Sequence, residues 1–458
     1  MKPKVLLWYD VEDYITEESD DALLALVNMM DGRGIRGTFK LVGEKIRALK
    51  SRGREDILEK LAGHDLGYHT DMHSEHPTIS AYCDPLSFSE GALEVEKREA
   101  GGLADLRRIM NMPVSTYGQP GAAWAPQVFP VLRKWGIPTY VDSNDMIDLD
   151  YGPFWYGGIL SLTLIKGIMR MELEADGLAK AKAQFDQLAD SGEELISIFY
   201  HPCEYSTAEF WDSVNFSRGI NTPRENWRRS RLRAPGEMAA YVEMLGQFID
   251  YLLAQGCTFI TTAQLMEDGC FGAYSQASNF TPEDIQQLAG LWHQDIGHVC
   301  IAGQSLCASE VFSLFRATLC VEKPLPELLY GPEANRDTQV GARGTLEDYR
   351  KALRMDYPSI LGYPQLPDYF MLCGKMVNPV DMACTLAWII RNNPGEADTI
   401  DVIRGSLTPQ KCINSNPNWG EKWIIFPEDF QVSRLLETAR LQAWTLKPAF
   451  WRGAERQM

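Results

Sequence analysis

Positive charge is in short supply in this chain. Its 44 lysines and arginines face 62 aspartates and glutamates, a net charge of −18. That balance disfavours nucleic acid as a partner, because a polyanion is held by a broad basic face. Long apolar runs are also missing, with none near the roughly 18 residues a spanning helix needs, so no membrane span is expected. The opening MKPKVLLWYDVEDY enters a strand pattern at once, without the apolar core and small-residue cleavage site of a secretory signal. A cytoplasmic location is the expectation. The ten cysteines form no CxxC pair, which speaks against a structural zinc cluster and for buried free thiols in a reducing compartment.

Histidine is scarce as well, with seven in 458 residues. Four of them crowd into one stretch, His64 to Pro77, reading HDLGYHTDMHSEHP. His69 and His73 are four apart, and on a helical turn both imidazoles would share a face and could grip one ion. A divalent site also needs an acid. The acid-rich stretch nearest a predicted strand end is Asp10-Val11-Glu12-Asp13, so the two stretches are expected to meet in space.

A chain of this length predicts two domains. Apolar runs at Lys4 to Tyr9, Thr38 to Val42, Ser115 to Tyr117, Thr139 to Asp142, Leu195 to Tyr200 and Thr258 to Thr261 read as strands. Helical patterns fall between them, the longest at Phe88 to Met110. Polar or ionisable residues recur just after the strands, at Asp10, Gln119, Asp142 and His201. The alternation predicts an α/β fold with a parallel sheet or barrel, whose active groups sit at the carboxyl ends of the strands.

Ser206 to Pro235 interrupts this rhythm with Trp211, Phe216, Trp227 and a set of arginines. It reads either as a solvated excursion or as a lid offering aromatic faces to sugar rings and arginines to an acidic group. After Gly269 helical periodicity takes over. The division expected is a (β/α) barrel at 1–272, a linker at 273–280 and a mainly helical domain at 281–458. That domain carries an internal repeat, Gly303 to Leu319 resembling Gly374 to Ile390. It could serve as a glycan, partner or oligomer surface. Trp419, Trp423 and Trp444 near the end serve core packing first and glycan stacking second.

Taken together, LLWYDVEDY, GIRGTFKLVGEK, GHDLGYHTDMHSEHP, YGQPGAAWAP, YVDSND, FYHP and FITTAQL resemble, in order, the motifs of the polysaccharide deacetylase (NodB-homology) family. The resemblance covers residues 1 to about 270 and implies a distorted (β/α) barrel. It also implies roles. His69 and His73 become ligands of one divalent ion, zinc, with Glu12 or Asp13 as the completing acid. Asp10 becomes the general base. His201 becomes the general acid, its charge supported by Asp142 or Asp145. Gln119, Pro120, Trp124 and Asp142 fall on the substrate side, joined by Trp211, Arg218 and Arg224 of the inserted segment. The family's third motif carries an arginine where this chain has Gly118, and Arg218 or Arg224 is expected to replace it in space.

The chemistry suits this set in its own terms. An ion held by two imidazoles and a carboxylate keeps positions open for water and polarises an amide or ester carbonyl. A carboxylate can take the proton of the attacking water, and an imidazolium can protonate the leaving group. The leading expectation is a metal-dependent hydrolase that removes acetyl groups, N- or O-linked, from a saccharide or glycan precursor. The alternatives are a hydrolase of another linear C–N bond, such as a ureide or formyl amide, and a catalytically degenerate glycan-binding protein.

Overall fold

The computed structural model describes residues 2–142, 146–150, 152–162, 176–272, 280–301, 304–415 and 422–452. Strand β1 (Lys4–Val11) lies at the heart of the first part. Seven of its eight residues are buried, as a strand covered on both faces requires. It pairs in parallel with β2 (Thr38–Leu41) on one side and with β8 (Leu195–Tyr200) on the other. Outward from β2 come β3 (Asp65–Tyr68), β4 (Thr116–Tyr117), β5 (Thr139–Val141), β7 (Ile159–Leu162) and β6 (Phe154–Tyr156). A further strand, β9 (Thr258–Phe259), pairs with the start of β1. The sheet curls into a half-barrel with helices packed against it, the distorted α/β barrel predicted by the strand and helix alternation.

Helices return the chain between strands. Helix α1 (Glu18–Asp31) follows β1, and α2 (Gly43–Ser51) follows β2. The longest, Phe88–Met110, starts at a reciprocal capping box between Ser87 and Glu90 and ends at Asn111 in left-handed conformation. No helix among the described residues is long and apolar enough to cross a membrane.

The later part has its own apolar core, built around Trp292, Phe312, Phe370 and Trp444. The sequence repeat corresponds to a hairpin followed by a helix. Val299–Ile301 and Gln304–Leu306 pair antiparallel ahead of helix Ala308–Leu319, and Phe370–Leu372 and Lys375–Val377 do so ahead of helix Pro379–Asn392. The two helices pack on each other. Periodicity predicts only the helices here, because strands of three residues are too short to show an alternation.

The proposed division at 273–280 falls outside the described residues except for Phe280. The chain nevertheless returns to the first part. Its closing strand, Lys447–Pro448, pairs antiparallel with β6 and adds a tenth strand to the sheet. Trp423, Ile425, Phe426 and Leu435 belong to the same apolar core as β1 and β2.

Candidate functional site

Strand register places the chemistry. In β1, Asp10 sits opposite Lys40 of β2, and Tyr9 sits opposite Tyr200, the last residue of β8. The carboxyl end of β1 is thus flanked by that of β8, where His201 follows. Two strands away, β3 ends at Tyr68 and releases His69 to His73 as a loop. The helical turn expected for the histidine pair is absent. Thr70 and His73 have positive φ values of 63° and 52°, and this folded-back loop brings the two rings together with centroids 4.9 Å apart.

Glu12 reaches into that loop. Its Oε2 lies 2.7 Å from His73 Nε2 and 3.5 Å from His69 Nε2. Ligand atoms of Glu12, His69 and His73 all fall within 4.8 Å of one another, and all three residues are buried. Asp13, the other candidate acid, is engaged elsewhere. Its Oδ1 accepts the backbone N–H groups of Ile15 and Thr16 at 2.9 Å each, which closes the turn after β1. Two residues along a strand share a face, so Glu12 keeps the side of Asp10 while Asp13 leaves it.

The donor set suits a divalent cation. His69 Nδ1 lies 3.0 Å from the Gly118 carbonyl, an acceptor only, so Nδ1 carries the proton and Nε2 presents a lone pair. Both Nε2 atoms are buried and turned toward Glu12 Oε2, at 3.5 Å from His69 and 2.7 Å from His73, so the three candidate ligand atoms converge. Burial alone would raise the Glu12 carboxyl, but the charges of His73 and His201 and hydrogen bonds from His69 and His73 hold it well below the usual range. Burial works against His69 too, yet Asp10 and Glu12 raise it above the ordinary histidine value. For His73 burial prevails and lowers it.

Asp10 and His201 stand beside the cluster. Asp10 Oδ2 is 3.8 Å from His201 Nε2, and Asp10 Oδ1 is 3.8 Å from His69 Nδ1. His201 Nδ1 is 3.0 Å from Glu204 Oε2. Glu204 is thus an acid beside His201 that the sequence reading did not name. Asp142 is turned to Lys40 at 3.4 Å, and Asp145 lies outside the described residues. Glu204 was missed although the sequence HPCE carries the signal, an acid three residues after His201 on the short helix that starts there.

Several residues expected to face substrate do not. Trp211 is buried, its ring packed on Tyr14, His73 and Phe216, and its Nε1 donates to Glu12 Oε1 at 3.0 Å. It steadies the acid and has no face left for a sugar. Trp124 is 0% exposed and packs on Phe129 and Tyr156. Gln119 and Pro120 are buried, and the Gln119 amide bonds Tyr140 and the Gly121 carbonyl. Arg224 pairs with Glu44 and Glu75 on the exterior, and Arg218 lies 4.0 Å from Glu428. Among the described ion pairs, neither arginine is joined to Asp10.

Trp423, expected to serve core packing, does so beside the histidines. It arrives from the end of the chain, stands edge-on to His73 with centroids 5.4 Å apart, and donates to Asp212 Oδ2 at 2.7 Å. Burial, and secondarily the Glu12 charge, push the Asp212 carboxyl up to about 7.

No family profile and no curated protein matches the chain. Solved structures do resemble it, and they are structures of the CE4, or polysaccharide deacetylase, family. One is a polysaccharide deacetylase from Mycobacterium smegmatis, at 15% identity over 58% of this chain and 90% of that one, with a TM-score of 0.38. Another is the CE4 domain of a xylanase from the hindgut metagenome of Trinervitermes trinervoides, at 13% identity over 58% and 91%, TM-score 0.34. A third is a family 4 acetyl xylan esterase from Clostridium thermocellum in complex with a cobalt ion, at 16% identity over 58% and 91%, TM-score 0.32.

Proposed function

We propose that this chain is a metal-dependent hydrolase that removes an acetyl group, N- or O-linked, from a saccharide or glycan precursor. The observation that carries this reading is the buried Glu12, His69 and His73 cluster with Asp10 and His201 at its side. The ordered series of deacetylase-like motifs supports it.

Glu12, His69 and His73 would hold the ion, and two imidazoles with one carboxylate suit zinc. Such an ion, when bound, polarises the acetyl carbonyl and makes a water easier to deprotonate. Asp10 Oδ2 takes the proton from the attacking water as the base. His201 Nε2 delivers a proton to the departing nitrogen or oxygen, and Glu204 at Nδ1 stabilises the imidazolium that makes this possible. The Gly118 carbonyl fixes the His69 tautomer. With Trp124 and Trp211 packed into the core, stacking on a sugar ring is not their part.

Metal analysis of the purified chain should find one divalent ion per molecule, lost in Glu12→Gln. An acetate-release screen over N- and O-acetylated saccharides with the metal-loaded chain then tests the reaction. Loaded protein that frees no acetate from any of them sinks the deacetylase reading. Turnover of ureides or formyl amides would move the same site to another C–N bond.

A further inference from the structure

We propose that Lys40 is the positioning residue for Asp10, a role that rests on the hydrolase reading and on a cleft shaped for one ammonium group. Lys40 is the only charged residue in strand β2, TFKL, and is 0% exposed. A buried ammonium persists only where partners replace its water. Here they converge on Nζ. Asp10 Oδ1 forms an ion pair at 2.9 Å, the Val141 carbonyl accepts a hydrogen bond at 2.8 Å, and Asp142 Oδ2 lies at 3.4 Å. The Trp8 ring lies beneath it, 4.3 Å to the centroid.

Two glycines keep the path open. Gly67 is the register partner of Lys40 on β3, and a Cβ there would come within 2.5 Å of Lys40 Cγ and 2.6 Å of Thr116 Cγ2. At the other end, a Cβ on Gly118 would collide with Lys40 Nζ and come within 2.6 Å of the Val141 carbonyl oxygen. Any larger residue at 67 or 118 would displace the stem or the head of Lys40. The lysine and both glycines form one fitted unit.

The arrangement sets the aim of Asp10. Lys40, on the neighbouring strand, is ion-paired with Oδ1, while Oδ2 is the oxygen 3.8 Å from His201 Nε2. Asp142, the residue after β5, gives the ammonium a second carboxylate at 3.4 Å. Lys40 makes no described contact with Glu12 or His73, and it bears on His69 through its charge alone among the described contacts.

A double-mutant cycle with Lys40→Met and Asp10→Asn tests this on the full chain, read by thermal unfolding, zinc affinity and acetate release. Lys40→Met should lower the unfolding midpoint, and Asp10→Asn in that background should recover part of it, since the buried carboxylate no longer lacks its counter-charge. Zinc affinity should change far less than in Glu12→Gln, because Lys40 is no ligand, although its charge bears on His69. kcat should fall about 100-fold with KM little changed, the scale of a misplaced base. The double variant should be no slower than Asp10→Asn alone, because Lys40 acts only through that carboxylate. A Lys40→Met chain that is insoluble while the double variant is soluble supports the pairing in the same way. Additive midpoints, or additive losses of kcat, overturn it. Coupled midpoints in a chain that frees no acetate at all would refute the hydrolase reading while leaving the Lys40–Asp10 linkage standing.

Discussion

Trp211→Phe offers a way to separate holding the metal acid from merely filling space. The indole N–H donates to Glu12 Oε1 at 3.0 Å in a fully buried setting, while Oε2 faces the two histidines. A buried hydrogen bond to a charged group contributes about 1.5–3 kcal/mol. By the relation of about 1.4 kcal/mol per decade, its loss should weaken zinc binding roughly 10- to 100-fold. That range is also typical of losing a partner behind a metal ligand. Phenylalanine keeps most of the ring packing on Tyr14 and His73, so the fold should survive. Calorimetric zinc titration of the two proteins gives the affinity, and unfolding of the metal-free forms gives the packing cost. A zinc affinity within twofold of the parent, alongside a lower midpoint, would show that the indole only fills the core and would refute the reasoning.

Other outcomes follow from the same contacts. His201→Gln should reduce kcat by about 100-fold or more with zinc content intact, and Glu204→Gln should reduce it less, because Glu204 acts only through Nδ1; equal losses would argue against that order. Zinc affinity should rise with pH, since neighbouring carboxylates favour a proton on His69 that must leave before ligation; titrations at pH 6, 7 and 8, values set by the ordinary histidine range, check it. Gly121→Ala should destabilise by about 1–3 kcal/mol, because its φ is +46° and a Cβ there would strike the Trp423 ring, and denaturant unfolding measures it. Burial pushes the Glu99 carboxyl from its ordinary 4.5 up to about 7, although Tyr68 and Asp71 donate to it. A raised carboxyl favours the folded state only below its unfolded value, so this contribution, about 3 kcal/mol, is lost as pH climbs from 4.5 to about 7. Glu99→Gln should flatten that part of the stability profile, and an unchanged slope would count against the burial argument.

What could be read from the residues alone was set by local pattern. Strand ends are legible because an apolar run stops at an ionisable residue, as LLWYD and IFYHP do, and parallel strands deliver those ends to one rim. That logic places Asp10, His69 and His201 together before any coordinates are known. It fails where identity and environment part company. Trp211 in an arginine-rich excursion looks like a sugar platform, yet its N–H is bonded to Glu12 and its ring is packed on Tyr14 and His73. Arg218 and Arg224 look like spare cations, but long exposed side chains pair with the nearest surface carboxylates. The missed cation was in plain view as the one charge in TFKL. A lysine inside an otherwise apolar strand must be matched by buried acids, and only the register of β1 against β2 shows that its match is Asp10.

Trp423 marks a different limit. No local pattern links residue 423 to residue 73, and the link exists because the chain's last stretch folds back over the barrel and joins its sheet. Through Asp212 and Trp211, which are adjacent on one short helix, this returning segment is coupled to Glu12 by two hydrogen bonds in series. The inserted excursion is therefore clamped between Glu12 and the segment Trp423 to Ile425. The backbone agrees, since the Arg218 and Gly219 N–H groups donate to the carbonyls of Ile424 and Ile425. Loosening the far segment with Trp423→Phe should then weaken zinc binding, but less than Trp211→Phe, because one intact hydrogen bond still separates the change from Glu12. If Trp423→Phe matched or exceeded Trp211→Phe in zinc affinity, the serial arrangement would be wrong, and the edge of Trp423 against His73 would be the contact that matters.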